Sequence, residues 1–223
     1  MSGYLLYGAP GTGAVAVEAA LRIAGAAYEV VDAPDAAALE KLSATNPMRQ
    51  VPALTFPANE AGEHETLTES AAILVRIAEL NPDSRLAPSI QAAERGAFLR
   101  WMSFVSSAIY AHYWLKDDPA RLVPDKALHS VIDERLETRM LACWKVMEAG
   151  VQRYADAGPY ILGADLTVLD LYVAVVSRFR PRRQRFYVAA PRLGEVARRI
   201  DADPRLVGLW AERYPFVKGW DRV

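Results

Sequence analysis

The order of apolar and polar positions divides the chain into two stretches of different rhythm. Tyr4-Leu5-Leu6-Tyr7 reads as a short strand, and the glycine-rich turn Gly8-Ala9-Pro10-Gly11-Thr12-Gly13 follows it. Val15, Val17, Ala20, Leu21 and Ala24 then keep a helical spacing that Gly25 closes. Tyr28 to Val31 is a second strand, Ala36 to Ala44 a helix ending before Asn46-Pro47, and Ala53 to Phe56 and His64 to Leu67 two further strands. Ser70 to Leu80 places Ile73, Leu74, Ile77 and Leu80 on one helical face. The predicted order is βαβαββα.

The polar, proline-bounded run Asn81 to Pro88 reads as a linker, and beyond it every pattern is helical. One stripe joins Phe98, Trp101, Met102, Val105 and Ile109. A longer one runs from Ile132 through Leu136, Met140, Cys143, Trp144, Met147 and Val151 to Tyr154, and a third joins Val168, Leu171, Tyr172, Val175, Val176 and Phe179. Leu193, Val196, Ala197 and Ile200, then Leu206 to Tyr214, complete a helical bundle. The reading is an α/β domain over residues 1–81 and an all-α domain over 88–223.

Composition narrows the function. At 223 residues, 52% hydrophobic and net charge −1, the chain suits a soluble protein with proper cores and no field that gathers nucleic acid or anionic membrane. No apolar run is long enough to span a bilayer, and no signal-type start is present. One cysteine, Cys143, excludes an internal disulfide and fits a reducing, cytoplasmic setting. His64, His112 and His129 lack companions at ligand spacing, so no metal is expected. Arg178 to Phe186 is the one basic run, read as a solvated helix end and loop.

Three phrases could carry chemistry. Gly8 to Gly13 has the frame of a phosphate loop, yet Ala14 and Val15 stand where lysine and a hydroxyl residue would be needed. At Gln50-Val51-Pro52-Ala53-Leu54 the proline stands at the mouth of a strand. A cis Val51–Pro52 bond would leave the Val51 N–H and C=O free to pair with an extended peptide-like ligand; a trans proline at a strand edge is the plain alternative. At Leu67-Thr68-Glu69-Ser70 the polar residues either cap the next helix or receive the head of an amino acid, its carboxylate on amides and hydroxyl and its ammonium on Glu69.

The ordered set Asn46-Pro47, Gln50-Val51-Pro52-Ala53-Leu54 and Thr68-Glu69-Ser70, followed by Thr167-Val168-Leu169-Asp170 opening a buried helix, resembles the cytosolic glutathione transferases over essentially the whole chain. The resemblance implies a thioredoxin-like domain packed on a helical bundle, usually in a homodimer. It implies an enzyme that joins the glutathione thiolate to a small hydrophobic electrophile, with glutathione as co-substrate and no metal, as in detoxification. Carried over by position, Val51 and cis-Pro52 would take the cysteinyl backbone, Glu69 and Ser70 the γ-glutamyl head, and Gln50 and Arg49 further polar contacts. Gly13 would let the backbone approach sulfur. A cysteine thiol ionises near pH 8.5, so a hydroxyl and helix-end amides must favour the anion. Thr12, beside the helix start, and Tyr7, in the strand, are the two candidate hydroxyls; the beta-class cysteine near Gly13 is missing, and Tyr110 stands where that class keeps a histidine. Tyr110 and Trp114 are candidates for the second-substrate pocket. Glutathione-dependent disulfide or peroxide reduction, and a non-catalytic binding module, are the rival readings.

Overall fold

A computed structural model describes residues 3–33, 36–179 and 182–216. The first stretch follows the expected βαβαββα order. Strand β1 (Tyr4–Gly8) leads into helix α1 (Ala14–Ile23), then come β2 (Tyr28–Asp32), α2 (Ala36–Lys41, extended by a 3₁₀ turn at Leu42–Ala44), β3 (Ala53–Thr55), β4 (Thr66–Thr68) and α3 (Ser70–Leu80). The four strands lie in the order β2-β1-β3-β4, with β1 parallel to β2 and antiparallel to β3, and β3 antiparallel to β4. This is the small mixed sheet of a thioredoxin-like domain.

Alternation along β1 buries Tyr4, Leu6 and Gly8 on one face and leaves Leu5 and Tyr7 half-buried on the other. Gly8 is there because α1 lies against it: a Cβ would stand 2.8 Å from the Ala14 Cβ. Helix α1 is buried without a break from Ala14 to Leu21, packed between the sheet with α3 on one side and the later helix at Val168–Val176 on the other. Strand β4 begins at Thr66 rather than His64, because Asn59 Oδ1 accepts from the Ala61 and Glu63 amides and draws the preceding residues into the turn. His64 pairs instead through Nδ1 with the Phe56 carbonyl at 2.9 Å.

The polar stretch after α3 is anchored: Leu86 is fully buried and its carbonyl accepts from Val168 N at 2.8 Å. The second stretch holds α4 (Arg95–Phe104), a π-helical segment (Val105–Tyr110), α5 (Ala111–Asp117), α6 (His129–Val151), α7 (Val168–Val176), α8 (Arg182–Ala189), α9 (Pro191–Asp201) and α10 (Val207–Arg213). Helix α7 is buried on every side and starts on a capping box: Asp170 Oδ2 accepts from the Thr167 N–H and hydroxyl, both at 2.8 Å, and Oδ1 accepts from Ile161 N at 2.8 Å.

The basic run is not the solvated surface expected of it. Arg178 and Arg183 are 1% and 0% exposed and share the carboxylate of Asp201, at 2.6 and 2.9 Å. Carbonyls take further donors: Arg178 reaches that of Tyr214, and Arg183 that of Ala174 at 2.7 Å, while the Nε–H of each is buried without a partner among the described residues. Pairing and hydrogen bonding are what make such burial tolerable. Arg180 and Pro181 of that run lie outside the described residues. Among the described residues no helix is long and apolar enough to cross a membrane.

Candidate active site

Register brings three of the singled-out phrases to one end of the sheet. Tyr7 pairs with Ala53, and Ala53 with Thr68. The turn that leaves β1, the Val51-Pro52 entry to β3 and the Glu69-Ser70 exit from β4 are therefore neighbours. Each is built locally.

The turn is held by bonds from both halves of the chain. Gly11 has φ +70°, a conformation glycine adopts without penalty, and its N–H donates to the Arg213 carbonyl at 2.8 Å. The Thr12 hydroxyl donates to the Ala9 carbonyl at 2.7 Å and accepts from Ala14 N at 3.3 Å, so it fastens its own turn. Gly13 has an ordinary helical φ of −61°. Glycine is needed there for room: a Cβ would stand 2.5 Å from the Tyr110 hydroxyl oxygen, which accepts from Gly13 N at 2.9 Å.

Val51–Pro52 is cis, and neither the N–H nor the C=O of Val51 has a partner among the described residues. The loop before it is arranged by Asn46, a buried residue whose Nδ2 donates to the Gln50 carbonyl at 2.8 Å and whose Oδ1 accepts from Met48 N at 3.0 Å. Gln50 and Arg49 are exposed, and Arg49 pairs with Glu40 of α2 at 2.8 Å. Glu69 is exposed at φ +66°, a conformation that costs a non-glycine residue on the order of 1–3 kcal/mol. Among the described residues no side chain caps α3, which leaves its first amides and its positive end beside Glu69.

Ser70 is buried, with its hydroxyl 2.9 Å from that of Tyr172 in α7. Burial pushes the Tyr172 phenol up to about 12, so both groups keep their protons at neutral pH. Tyr172 in turn meets Tyr110 edge-on, ring centroids 6.1 Å apart, and Tyr110 stacks on Phe179 at 5.4 Å. A continuous chain thus links the start of α3, α7, the π segment and the start of α1. Gly13, Ser70 and Tyr110 belong to it. Trp114 does not: it is 48% exposed and its ring meets the Arg121 guanidinium at 4.9 Å.

Comparison with known proteins places the first domain. Residues 2–79 match the family described as glutathione S-transferase, N-terminal domain. Residues 2–79 carry a glutathione S-transferase N-terminal domain, and the fold is that of the glutathione transferases. The GST-like protein YncG of Escherichia coli (strain K12), itself uncharacterized, is 29% identical over 205 residues, 90% of this chain and 94% of that one. A glutathione transferase homologue from Sulfitobacter, solved with bound glutathione, is 25% identical, with a TM-score of 0.78 over 95% of this chain and 99% of its own. A sphingomonad glutathione S-transferase complexed with glutathione is 27% identical, with a TM-score of 0.68 over 94% and 98%.

Other contributors to the glutathione transferase fold had no local signal. Arg213, at the end of α10, bonds Glu18 of α1 at 2.9 Å and Asp32 of β2 at 2.8 and 2.6 Å. Its guanidinium holds the Asp32 carboxyl below the ordinary carboxylate range, while burial pushes that of Glu18 up despite the same partner. Tyr172 sat among core positions of an apolar stripe, and only the α3 start across from it reveals a polar duty. Cys143 is buried, and burial pushes its thiol up, away from the thiolate.

Proposed function

We propose that this chain is a cytoplasmic glutathione transferase that binds glutathione in extended form and joins its sulfur to a small hydrophobic electrophile. The observation that carries the reading is the pair of unpartnered Val51 main-chain groups lying across the β3–β4 ladder from the uncapped start of α3. An extended cysteinyl backbone can pair with Val51 as an added strand would. The γ-glutamyl carboxylate would then meet the first amides of α3 and the Ser70 hydroxyl, with Glu69 answering the ammonium. A pair of hydroxyls carries two protons and only one lies between them, so Ser70 keeps a proton for the carboxylate when Tyr172 donates to it. Gln50 and Arg49 stand at the rim for the remaining polar groups, and Tyr110, with Trp114 further out, borders the space for the electrophile.

At the turn, the Thr12 N–H has no partner among the described residues and the positive end of α1 lies behind it. Sulfur held there gives its proton to water. The thiolate lone pair forms the C–S bond, and the leaving group departs with the pair that bound it. The same reading takes residues 1–81 as the glutathione-binding domain, 88–223 as the helical domain, and a homodimer as the working form.

Calorimetric titration tests the binding step. Glutathione is expected to bind, and cysteinylglycine, which lacks the γ-glutamyl head, to bind at least about tenfold more weakly, since each lost charge-assisted hydrogen bond is worth about 1.5–3 kcal/mol. Equal affinity for both, or for neither, overturns the reading. Turnover with an activated aryl halide is expected to exceed that with a hydroperoxide; the reverse order would make the protein a reductase.

A further inference from the structure

Three hydroxyls could face sulfur bound at the glycine turn, and their geometry separates them. Tyr7 belongs to the face of β1 opposite the one on which α1 lies. Thr12 gives its only hydroxyl proton to the Ala9 carbonyl. Tyr110 comes from the helical stretch, and its oxygen accepts the Gly13 N–H at 2.9 Å while its own proton has no acceptor among the described residues. Gly13 leaves this space open although its φ does not call for glycine.

The approach is built from several directions. Tyr110 closes the π-helical segment Val105–Tyr110, the kind of widened turn that recurs at functional positions. Phe179 stacks on its ring at 5.4 Å, Tyr172 meets it edge-on at 6.1 Å and Tyr113 lies tilted at 6.0 Å. With these rings fixed around it, the phenol has little freedom except at its proton.

Resting on the glutathione reading above, we propose that Tyr110 is the catalytic hydroxyl: it donates its proton in a hydrogen bond to the glutathione thiolate, in place of Thr12 or Tyr7. The Gly13 amide, by donating to the same oxygen, polarises the phenol and strengthens the bond it gives to sulfur. The proton stays on Tyr110 throughout, and the thiol proton leaves to water. Burial, with Tyr172, Tyr214 and Asp117 nearby, pushes the Tyr110 phenol up, so the donor is present at every working pH. The Gly13 amide pulls the other way and is outweighed.

The test is the ultraviolet thiolate absorbance of bound glutathione against pH in the full chain, for wild type, Tyr110→Phe and Thr12→Ala. A hydrogen bond to an anion is worth about 1.5–3 kcal/mol, so Tyr110→Phe is expected to raise the bound thiol's pKa by about 1–2 while Thr12→Ala changes it by less than about half a unit. At pH 6.5 kcat/KM should fall about tenfold or more in Tyr110→Phe, with the loss shrinking at high pH. A merely structural cap would lower stability and leave the thiol's pKa in place. If wild type binds glutathione with a depressed thiol pKa that Tyr110→Phe does not move, this assignment fails and the glutathione reading stands. If wild type does not bind glutathione, both fall. Should Tyr110→Phe not fold, Gly13→Ala, whose methyl displaces the hydroxyl, is expected to give the same rise, and an unmoved pKa there overturns the assignment.

Discussion

Tyr113 presents, one helical turn after Tyr110, the opposite situation for a phenol. It is 5% exposed, and its hydroxyl is buried without a hydrogen-bond partner among the described residues. Leaving such a group unsatisfied costs about 1–3 kcal/mol. Tyr113→Phe keeps the ring on Phe179, 4.9 Å away, and removes the orphan oxygen. The substitution is expected to leave stability unchanged or raise it by about 1 kcal/mol in urea unfolding; a clear loss would mean that the hydroxyl has a partner in solution. What the sequence discloses at this scale is uneven. Glu69 and Val51 stand in phrases whose local order already suggests a ligand, because a strand entry and a helix start offer main-chain groups whatever packs against them. The use of the Tyr110 hydroxyl on Gly13 is not legible, since the two are 97 positions apart and no short-range pattern links them. Thr12 reads as available for a different reason: the bond that occupies it, to Ala9, is a detail of one turn.

Among the elements, those with a regular rhythm are readable in place and type, one of them to the residue. Ser70 to Leu80 is found as expected because its apolar face repeats at helical spacing and Asn81-Pro82 stops it. The π segment was not readable, since one inserted residue shifts a stripe without erasing it, and Val105 and Ile109 are buried either way. The start of α7 announced itself through Thr167 and Asp170, and its burial has a measurable consequence. Desolvation raises the Asp170 carboxyl from 3.8 to about 6, against four hydrogen bonds that lower it. Since the folded pKa lies above the unfolded one, the folded state binds more protons between them, and stability declines as pH rises through that window. At about 1.4 kcal/mol per pH unit, wild type is expected to lose about 3 kcal/mol relative to Asp170→Asn between pH 3.8 and 6, with no further change above pH 7. Chemical denaturation of both proteins at several pH values would reveal a parallel response if the carboxyl titrates normally.

For the molecule as a whole, the two stretches are joined more by polar contacts than the apolar stripes suggest. Arg213 ties α10 to Glu18 and Asp32, and Glu18 is only 2% exposed. Arg213→Met strands that carboxylate and is expected to cost about 3 kcal/mol or more, whereas adding Glu18→Met should restore much of the loss. Thermal unfolding of the two variants distinguishes this from simple loss of packing, which the second substitution would deepen. Neither this bridge nor the shared Asp201 between Arg178 and Arg183 could be anticipated, because charge in a sequence is read as surface unless its partner is adjacent. The βαβαββα order and the helical second half, by contrast, follow from patterns that survive any rearrangement of side chains.

The bond from Gly11 to the Arg213 carbonyl joins the turn after β1 to α10. During synthesis on a ribosome, the bend at Pro10 to Gly13 therefore waits, one contact short, until Arg213 has emerged. A nascent fragment that stops before Val207 would present an unfinished version of the seat proposed for sulfur, and competence would arrive only with α10.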